Sequence, residues 1–286
     1  MNASALSRPS PIVEIYSALR ALDARWGVEI ATPSGPGWIT GTDLRIATVG
    51  PFRELLERIG ERARTSDRRT IAASFGLRYG WASAMAIAPY LRFACVPDVS
   101  LENVSFKFRE STFFERTAMY EPRGTVVAGD PRAEHPMLTT VPDDAALLQF
   151  LRTVLVSQSA PVVDALYEWS GFARRGTWGM LTSSWASQFT ALCENRDDHR
   201  TVWPQLDALF SGDDVVAAMC PTMHAVTYLD ATHLYQRRAS CCRYYLLPEG
   251  DLCASCPLVS DDERLARNRE WMKTQLERRA QHRGHS

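Results

Sequence analysis

Apolar residues recur every three or four positions over much of the chain, which is the spacing of amphipathic helices. In the segment 51–59, for example, Pro51 opens the pattern and Leu55, Leu56 and Ile59 share one face. Most of the chain is therefore predicted to be helical. The helices predicted from this spacing cover residues 12–26, 51–59, 70–92, 143–167, 178–193 and a short stretch after Ser211.

The period changes after Pro97, where apolar and polar residues alternate between 104 and 109 as in a half-buried strand. Further strands are predicted at 112–120 and 125–128, joined by a turn at 121–124. The expected fold class is α+β, mostly helical, with a small antiparallel sheet and a cysteine-rich hairpin near the C-terminus.

A terminal helix is predicted from Ser260, because Ser260 and Glu263 have the spacing of a capping box. The expected division of the chain is a helical α+β domain at 1–236, followed at 237–286 by the cysteine-rich segment and this helix.

Composition narrows the classes of function. The chain has 286 residues and a formal net charge of −1, so it lacks the basic excess typical of nucleic-acid binding. The N-terminus shows no secretory signal, and no stretch approaches the about 20 apolar residues of a membrane-spanning helix. We therefore expect a cytoplasmic protein without an integral membrane segment or a nucleic-acid partner.

Four of the seven cysteines fall in one short segment with the pattern C-C-x10-C-x2-C. They are Cys241, Cys242, Cys253 and Cys256. A turn at 248–250 is expected to fold the spacer into a hairpin that brings the two halves together. In a reducing compartment such a cluster predicts a four-thiolate metal site.

The other three cysteines lie alone in apolar surroundings. They are Cys95, Cys193 and Cys220. Isolated cysteines of this kind are expected to be buried filling residues.

Zinc and a [2Fe-2S] cluster both accept four thiolates. The adjacent pair Cys241 and Cys242 would have to bend sharply to meet one small ion. A two-iron cluster spans more space, which favours [2Fe-2S] and leaves zinc as the alternative.

The cysteine segment resembles the C-terminal iron–sulfur signature of the FhuF-type ferric-siderophore reductases. The resemblance includes the adjacent cysteines, the ten-residue spacer and the Cys-x-x-Cys. It extends to Ser240 before the pair, Leu247 and Pro248 in the spacer, and Pro257 after the last cysteine.

This resemblance implies a cytoplasmic oxidoreductase of iron transport that reduces ferric iron bound to a hydroxamate-type siderophore. It also implies that Cys241, Cys242, Cys253 and Cys256 bind a [2Fe-2S] cluster. The sequence contains no G-x-G-x-x-G after a predicted strand, so a separate electron-donor protein or reductant is expected.

Two other classes of protein remain open. One is a zinc-stabilised interaction module without redox activity, and the other is a protein of siderophore biosynthesis that shares the helical core.

Arg243 and Tyr244, beside the cysteines, are candidates for substrate contact, although local packing also explains them. Six further residues are interpreted first as core or surface positions and alternatively as ligand contacts: Arg78, Tyr79, Trp81, Arg174, Arg175 and Trp178. His224 and His233 could ligate a metal, as in Rieske centres, but four cysteines already fill two irons, so they are expected to be ordinary polar or core histidines.

Overall fold

The computed structural model describes residues 9–109, 114–192, 199–229 and 231–283. Its helices are α1 (Pro11–Leu22), α2 (Gly50–Arg62), α3 (Arg68–Tyr79), α4 (Ala84–Phe93), α5 (Asp144–Ser170), α6 (Arg174–Leu192), α7 (His199–Leu209), α8 (Val215–Ala218) and α9 (Asp261–Arg283). Its strands are β1 (Val28–Ile30), β2 (Trp38–Thr40), β3 (Cys95–Pro97), β4 (Val104–Phe108), β5 (Phe114–Met119), β6 (Gly124–Val127), β7 (Leu138–Val141), β8 (Thr222–Tyr228) and β9 (Ala231–Arg237). The predicted α+β class, mostly helical with small sheets, is confirmed.

Several helices begin at a polar side chain that accepts a hydrogen bond from a free backbone amide. Ser10 accepts from the amide of Ile12 at the start of α1, and Asp143 accepts from Ala146 at the start of α5. Asp67 does the same at α3. Such caps satisfy donors that the first helical turn leaves unpaired, so these boundaries are set locally.

Helix α6 lies at the centre of the packing, in contact with α3, α4, α5, α7, α8 and β9. Trp185 and Phe189 on this helix are fully buried. Two of its buried hydroxyls bond carbonyls of other elements. Thr182 donates to the carbonyl of Met219 at 2.6 Å, and Ser184 donates to that of Leu77 at 2.9 Å. A helix buried on all sides has no polar face, so the spacing of its apolar residues does not indicate that it lies at the centre of the core.

The helix predicted at 70–92 is interrupted. It separates into α3 and α4 around a 3₁₀ turn at Gly80–Ser83. A Cβ atom on Gly80 would lie 2.4 Å from the Cβ of Ser184, so only glycine permits this contact with α6. The break thus lies where the chain packs closely on α6.

The strands form three sheets within the described residues rather than a single one. The first has the order β1-β5-β4-β2, with β1 parallel to β5 and the other pairs antiparallel. The second has the order β3-β6-β7, in which β6 and β7 are parallel. Thus β5 and β6, predicted to be neighbours across a turn, belong to different sheets. The start of the predicted strand at 112–113 lies outside the described residues.

The third sheet is the antiparallel hairpin β8–β9, which leads directly into the cysteine segment. Helix α9 follows the cysteine segment and packs against β8 of this hairpin. At the start of α9 the Ser260 hydroxyl accepts from the amide of Glu263 at 3.3 Å, as predicted. The Glu263 carboxylate pairs with Arg267 on the next turn.

Helix α5 is long and apolar enough, by length and composition, to cross a membrane, which the sequence analysis did not anticipate. Its buried face includes Leu147, Leu151, Leu155 and Leu166, and it contacts α3, α6 and β6. A core helix of this kind passes the same test, so the feature is weak evidence for a membrane span.

Candidate metal centre

The cysteine segment is folded by its own backbone hydrogen bonds. The amide of Arg238 donates to the carbonyl of Ser255 at 2.9 Å, which joins the two ends of the segment. The amide of Cys256 donates to the carbonyl of Cys253 at 2.9 Å, so the Cys-x-x-Cys forms a tight turn. The two cysteine pairs are thereby brought side by side.

The spacer between the pairs differs from the predicted hairpin of strands. Residues Tyr244–Leu246 form a 3₁₀ turn, and a further turn closes at Gly250. A Cβ atom on Gly250 would lie 1.8 Å from the carbonyl oxygen of Tyr244, so the returning chain passes too close for any other residue. The spacer is thus a compact loop.

The four thiols form two close pairs, each with one member from either end of the segment. The Sγ atoms of Cys241 and Cys256 are 3.5 Å apart, and the sulfurs of Cys242 and Cys253 both contact the same nitrogen of Arg238, at 3.5 and 2.5 Å. Arg243 has a left-handed backbone, with φ of 61°, and its amide donates to the Cys241 sulfur at 3.4 Å. Although Cys241 and Cys242 are adjacent in sequence, each therefore pairs with a different cysteine of the Cys-x-x-Cys, and the sharp turn at Arg243 follows directly after them.

This arrangement suits a centre with two metal ions better than a single ion. Among the described residues, no three His, Cys, Asp or Glu side chains converge on one ion position. A tetrahedral metal with bonds of about 2.3 Å to sulfur holds its two thiolates about 3.7 Å apart. The 3.5 Å separation of the Cys241 and Cys256 sulfurs fits that geometry. Two such pairs are the ligand set of a four-cysteine [2Fe-2S] cluster.

Arg238 is the charged residue nearest these thiols. It is only 4% exposed, and its Nη2 donates to the sulfurs of both Cys242, at 3.5 Å, and Cys253. A buried guanidinium needs anionic partners, and thiolates provide them. Sequence reasoning missed this residue because no spacing pattern marks it.

The same contacts change the acidity of the thiols. The hydrogen bond from Cys253 and the charge of Arg238 lower the pKa of Cys242 to about 5, although burial opposes them. The pKa of Cys253 is raised, because its proton is held by Cys242. Burial raises the pKa of Cys241 to about 11. Cys242 is therefore a thiolate at neutral pH, whereas Cys241 and Cys253 keep protons that metal binding would displace.

Helices α3 and α9 anchor the segment. The Arg243 side chain bonds the Asp67 carboxylate at 2.8 Å and the Thr70 hydroxyl at 3.0 Å, at the start of α3. This predicted substrate contact is thus directed at the protein, whereas Tyr244 is half exposed. From α9, the buried Arg264 donates to the carbonyl of Cys256 at 3.2 Å.

Helix α6 anchors the segment through Gly179. A Cβ atom on Gly179 would lie 2.6 Å from the Cβ of Ser240, the residue before the first cysteine. On Gly76 of α3 the same atom would meet nothing closer than 3.3 Å. The approach of Ser240 to α6 therefore requires glycine at position 179.

We expect Gly179→Ala to be less stable than Gly76→Ala by about 1–3 kcal/mol, the usual cost of overpacking. The comparison cancels the helix propensity that alanine gains at both positions. Thermal unfolding and iron content would measure the difference. Equal stability and equal iron content in the two variants would contradict this role of Gly179.

The other predicted candidates divide between core and surface. Tyr79 and Trp178 are buried, and Trp178 packs edge-on against Trp185. Arg174 pairs with Asp164 on the surface. Trp81 is exposed, and neither His224 nor His233 belongs to a group of three metal-ligating side chains among the residues that the structure describes.

The lone cysteines stay apart from the centre. Cys95 is buried in β3, and Cys220 is half-buried after α8. Burial raises the pKa of Cys95 to about 12, which leaves it an unreactive thiol. Cys193 lies outside the described residues.

Two close thiol pairs beside a buried cation make the cysteine segment a candidate thiolate metal centre. Residues 238–258 match the family model of the FhuF 2Fe-2S C-terminal domain, which confirms the FhuF-type motif. The cofactor of this domain is a [2Fe-2S] cluster, so the match disfavours zinc. The match covers less than a tenth of the chain. No curated protein matches the sequence.

Proposed function

We propose that the protein is a ferric-siderophore reductase in which Cys241, Cys242, Cys253 and Cys256 hold the [2Fe-2S] cluster. The observation that carries the proposal is the two-by-two arrangement of these thiols within the segment that matches the FhuF domain. The substrate is ferric iron in a hydroxamate-type chelate, and the product is ferrous iron.

The chemistry of the substrate supports one-electron reduction. When bound, a [2Fe-2S] cluster supplies electrons one at a time. Ferric iron is a hard ion held by chelate oxygens, whereas ferrous iron binds the same oxygens much more weakly. A ferric chelate that gains one electron therefore releases its iron, without proton transfer by a catalytic acid or base.

The surface of the centre supports electron exchange with partners. Cys253 is exposed, whereas Cys242 and Cys256 are buried. The buried thiols and Arg238 keep water from one side of the site, and Cys253 gives partners access on the other. We propose that a separate donor protein supplies the electrons.

In the proposed reductase the chain has the two parts that were expected from the sequence. Residues 1–236 provide the α+β domain, and 237–286 provide the cluster-binding segment with α9. A cytoplasmic location is proposed because the centre requires reduced thiols.

The test is single-turnover electron transfer under anaerobic conditions. The chemically reduced protein is mixed with a ferric trihydroxamate in the presence of a ferrous chelator. We expect the cluster spectrum to reoxidise while about one ferrous ion per cluster appears in the chelator, since the cluster carries one electron. The trap is needed because removal of ferrous iron drives an otherwise unfavourable transfer.

Two controls make the result specific. The gallium(III) complex of the same chelator has the same charge but accepts no electron, so it should leave the cluster reduced. Ferricyanide should reoxidise the cluster whatever the substrate. A cluster that ferricyanide reoxidises but several ferric hydroxamates do not would disprove the reductase function.

A further inference from the structure

A cavity of about 460 Å³ lies beside the cysteine segment. It is bounded by α6, the β8–β9 hairpin, the loop between Cys253 and Cys256, and one face of α9. Ala254 and Ser255, the two residues inside the Cys-x-x-Cys, form part of its wall. Any molecule in this cavity is therefore next to residues that directly adjoin two of the four thiols.

The lining is suited to a bulky ligand with both apolar and polar parts. Met223 and Leu234 from the hairpin and Trp271 from α9 provide apolar surface. Trp271 is 56% exposed, although tryptophan is usually well buried in folded proteins, so its indole is available to a ligand in the cavity. Ligand sites commonly combine such apolar walls with a few fixed polar groups.

The polar groups of the lining are held in place by the protein. Asn268 contacts the Nε2 of His224 at 2.9 Å, which joins α9 to the hairpin. Burial lowers the pKa of His224, so its neutral ring can accept this bond. Arg267 pairs with Glu263 and donates to the carbonyl of Leu252.

One buried acceptor at the cavity has no partner. The Nε2 of Gln236 donates to the carbonyl of Ser183 at 3.0 Å and also contacts the Ser187 hydroxyl. Its Oε1 is buried and makes no hydrogen bond. The two Nε2 contacts fix the Gln236 side chain against α6, so this part of the cavity wall is held in place, while its Oε1 has almost no surface open to a ligand.

The charge of the lining selects among iron chelates. Its cation, Arg267, is already neutralised by Glu263. Three hydroxamate groups carry three negative charges and cancel those of ferric iron, which gives a neutral complex. A tris-catecholate complex keeps a charge of about −3 and would need unpaired cations that this lining does not offer.

We propose that this cavity binds the ferric trihydroxamate, with Trp271 against its apolar linker and its iron centre beside Ala254 and Ser255. The inference rests on the proposed reductase function and specifies where the substrate lies. Electron transfer slows steeply with distance, so a chelate held against Ala254 and Ser255 is in a favourable position for reduction. The cavity at Glu57 and Trp169 includes no residue of the cysteine segment.

The test uses the gallium(III) trihydroxamate, which binds without redox chemistry. Binding to the cluster-loaded protein is followed by calorimetry. Trp271→Ala should weaken it roughly tenfold or more, as expected for a central aromatic contact. Trp81→Ala is the matched control, because that indole is 52% exposed and does not line the cavity, and its affinity should stay within about twofold of the parent protein.

A second variant fills the cavity instead of removing a contact. The Thr190 hydroxyl bonds only carbonyls of its own helix, at Ala186 and Ser187, so Thr190→Trp breaks no bond between elements. It should abolish binding of the gallium complex and raise KM for the ferric complex, while the visible spectrum of the cluster and its reoxidation by ferricyanide stay unchanged.

The outcomes separate the two proposals. If the parent protein reduces ferric trihydroxamate but Trp271→Ala and Thr190→Trp bind the gallium complex as well as the parent does, the cavity assignment is wrong and the reductase function stands. If the parent neither reduces the ferric complex nor binds the gallium complex, both proposals are wrong. Loss of binding in both variants, with an intact cluster, supports the cavity.

Discussion

The Cys242→Ser and Cys253→Ser proteins are expected to lose the [2Fe-2S] cluster or to hold it in a greatly altered form. Each change removes one thiolate of the pair beside Arg238 and leaves an iron with incomplete sulfur ligation. Iron and sulfide should fall from about two of each per chain to a small fraction of that. Elemental analysis and the visible spectrum of anaerobically purified protein measure this.

The pairing of thiols sharpens the expectation. If each pair holds one iron, Cys242→Ser and Cys253→Ser should share one residual spectrum, and Cys241→Ser and Cys256→Ser should share another. Electron paramagnetic resonance of the reduced variants would distinguish the two groups.

Cys220→Ser is a suitable control. The Cys220 sulfur donates to the carbonyl of Pro221 at 3.3 Å, and serine can keep this bond. This variant should retain the full cluster. If Cys253→Ser also keeps its full iron content and an unchanged spectrum, these thiols are not the ligands. If the parent protein, expressed with sufficient iron, contains stoichiometric zinc instead, the centre is not an iron–sulfur cluster.

Local chemistry made part of the fold predictable. The starts of α2 and α9 follow from Pro51 and from the capping box at Ser260, and both depend on residues within one turn of each other. Strand β4 was likewise predicted from its alternation, although the structure buries both of its faces, including Ser105, where one face was expected to be exposed. These elements form where neighbouring residues alone decide the backbone conformation.

Other features depend on contacts between residues far apart in sequence. The requirement for glycine at position 80 comes from its close approach to Ser184 on α6. The separation of β5 from β6 into two sheets depends on β3 and β7 as partners. No periodicity in a single segment contains this information.

The candidate site shows the same division. The spacing of the cysteines predicted that they meet, and they do, but the spacer folds as a 3₁₀ turn where strands were expected. The interleaved pairing depends on the backbone turn at Arg243, and the cation at the thiols comes from Arg238. Arg243 itself is bound to Asp67, a contact across the fold that sequence could not indicate.

Arg238→Leu is expected to lower the reduction potential of the cluster. Reduction adds one negative charge to the centre, and the Arg238 guanidinium, which donates to Cys242 and Cys253, stabilises that charge. A hydrogen bond to a charged group contributes about 1.5–3 kcal/mol. Only the part of this free energy that is gained on reduction enters the potential, so at about 2.3 kcal/mol per 100 mV its full loss sets an upper limit of roughly 65–130 mV on the fall, measurable by spectroscopic redox titration.

Comparison with other substitutions separates the effect of charge from that of structure. Arg237 is the adjacent arginine, but it is exposed and donates only to the carbonyl of Pro257, so Arg237→Leu removes the same formal charge away from the sulfurs. Its potential should change little, because solvent screens an exposed charge. Arg238→Lys keeps the charge and should recover part of the potential, whereas a purely structural role would leave Lys and Leu variants alike in potential and different in stability. If an Arg238→Leu protein with a full cluster has the same reduction potential as the parent protein, the guanidinium does not affect that potential. Its contacts with two cysteine sulfurs would then serve the assembly of the site.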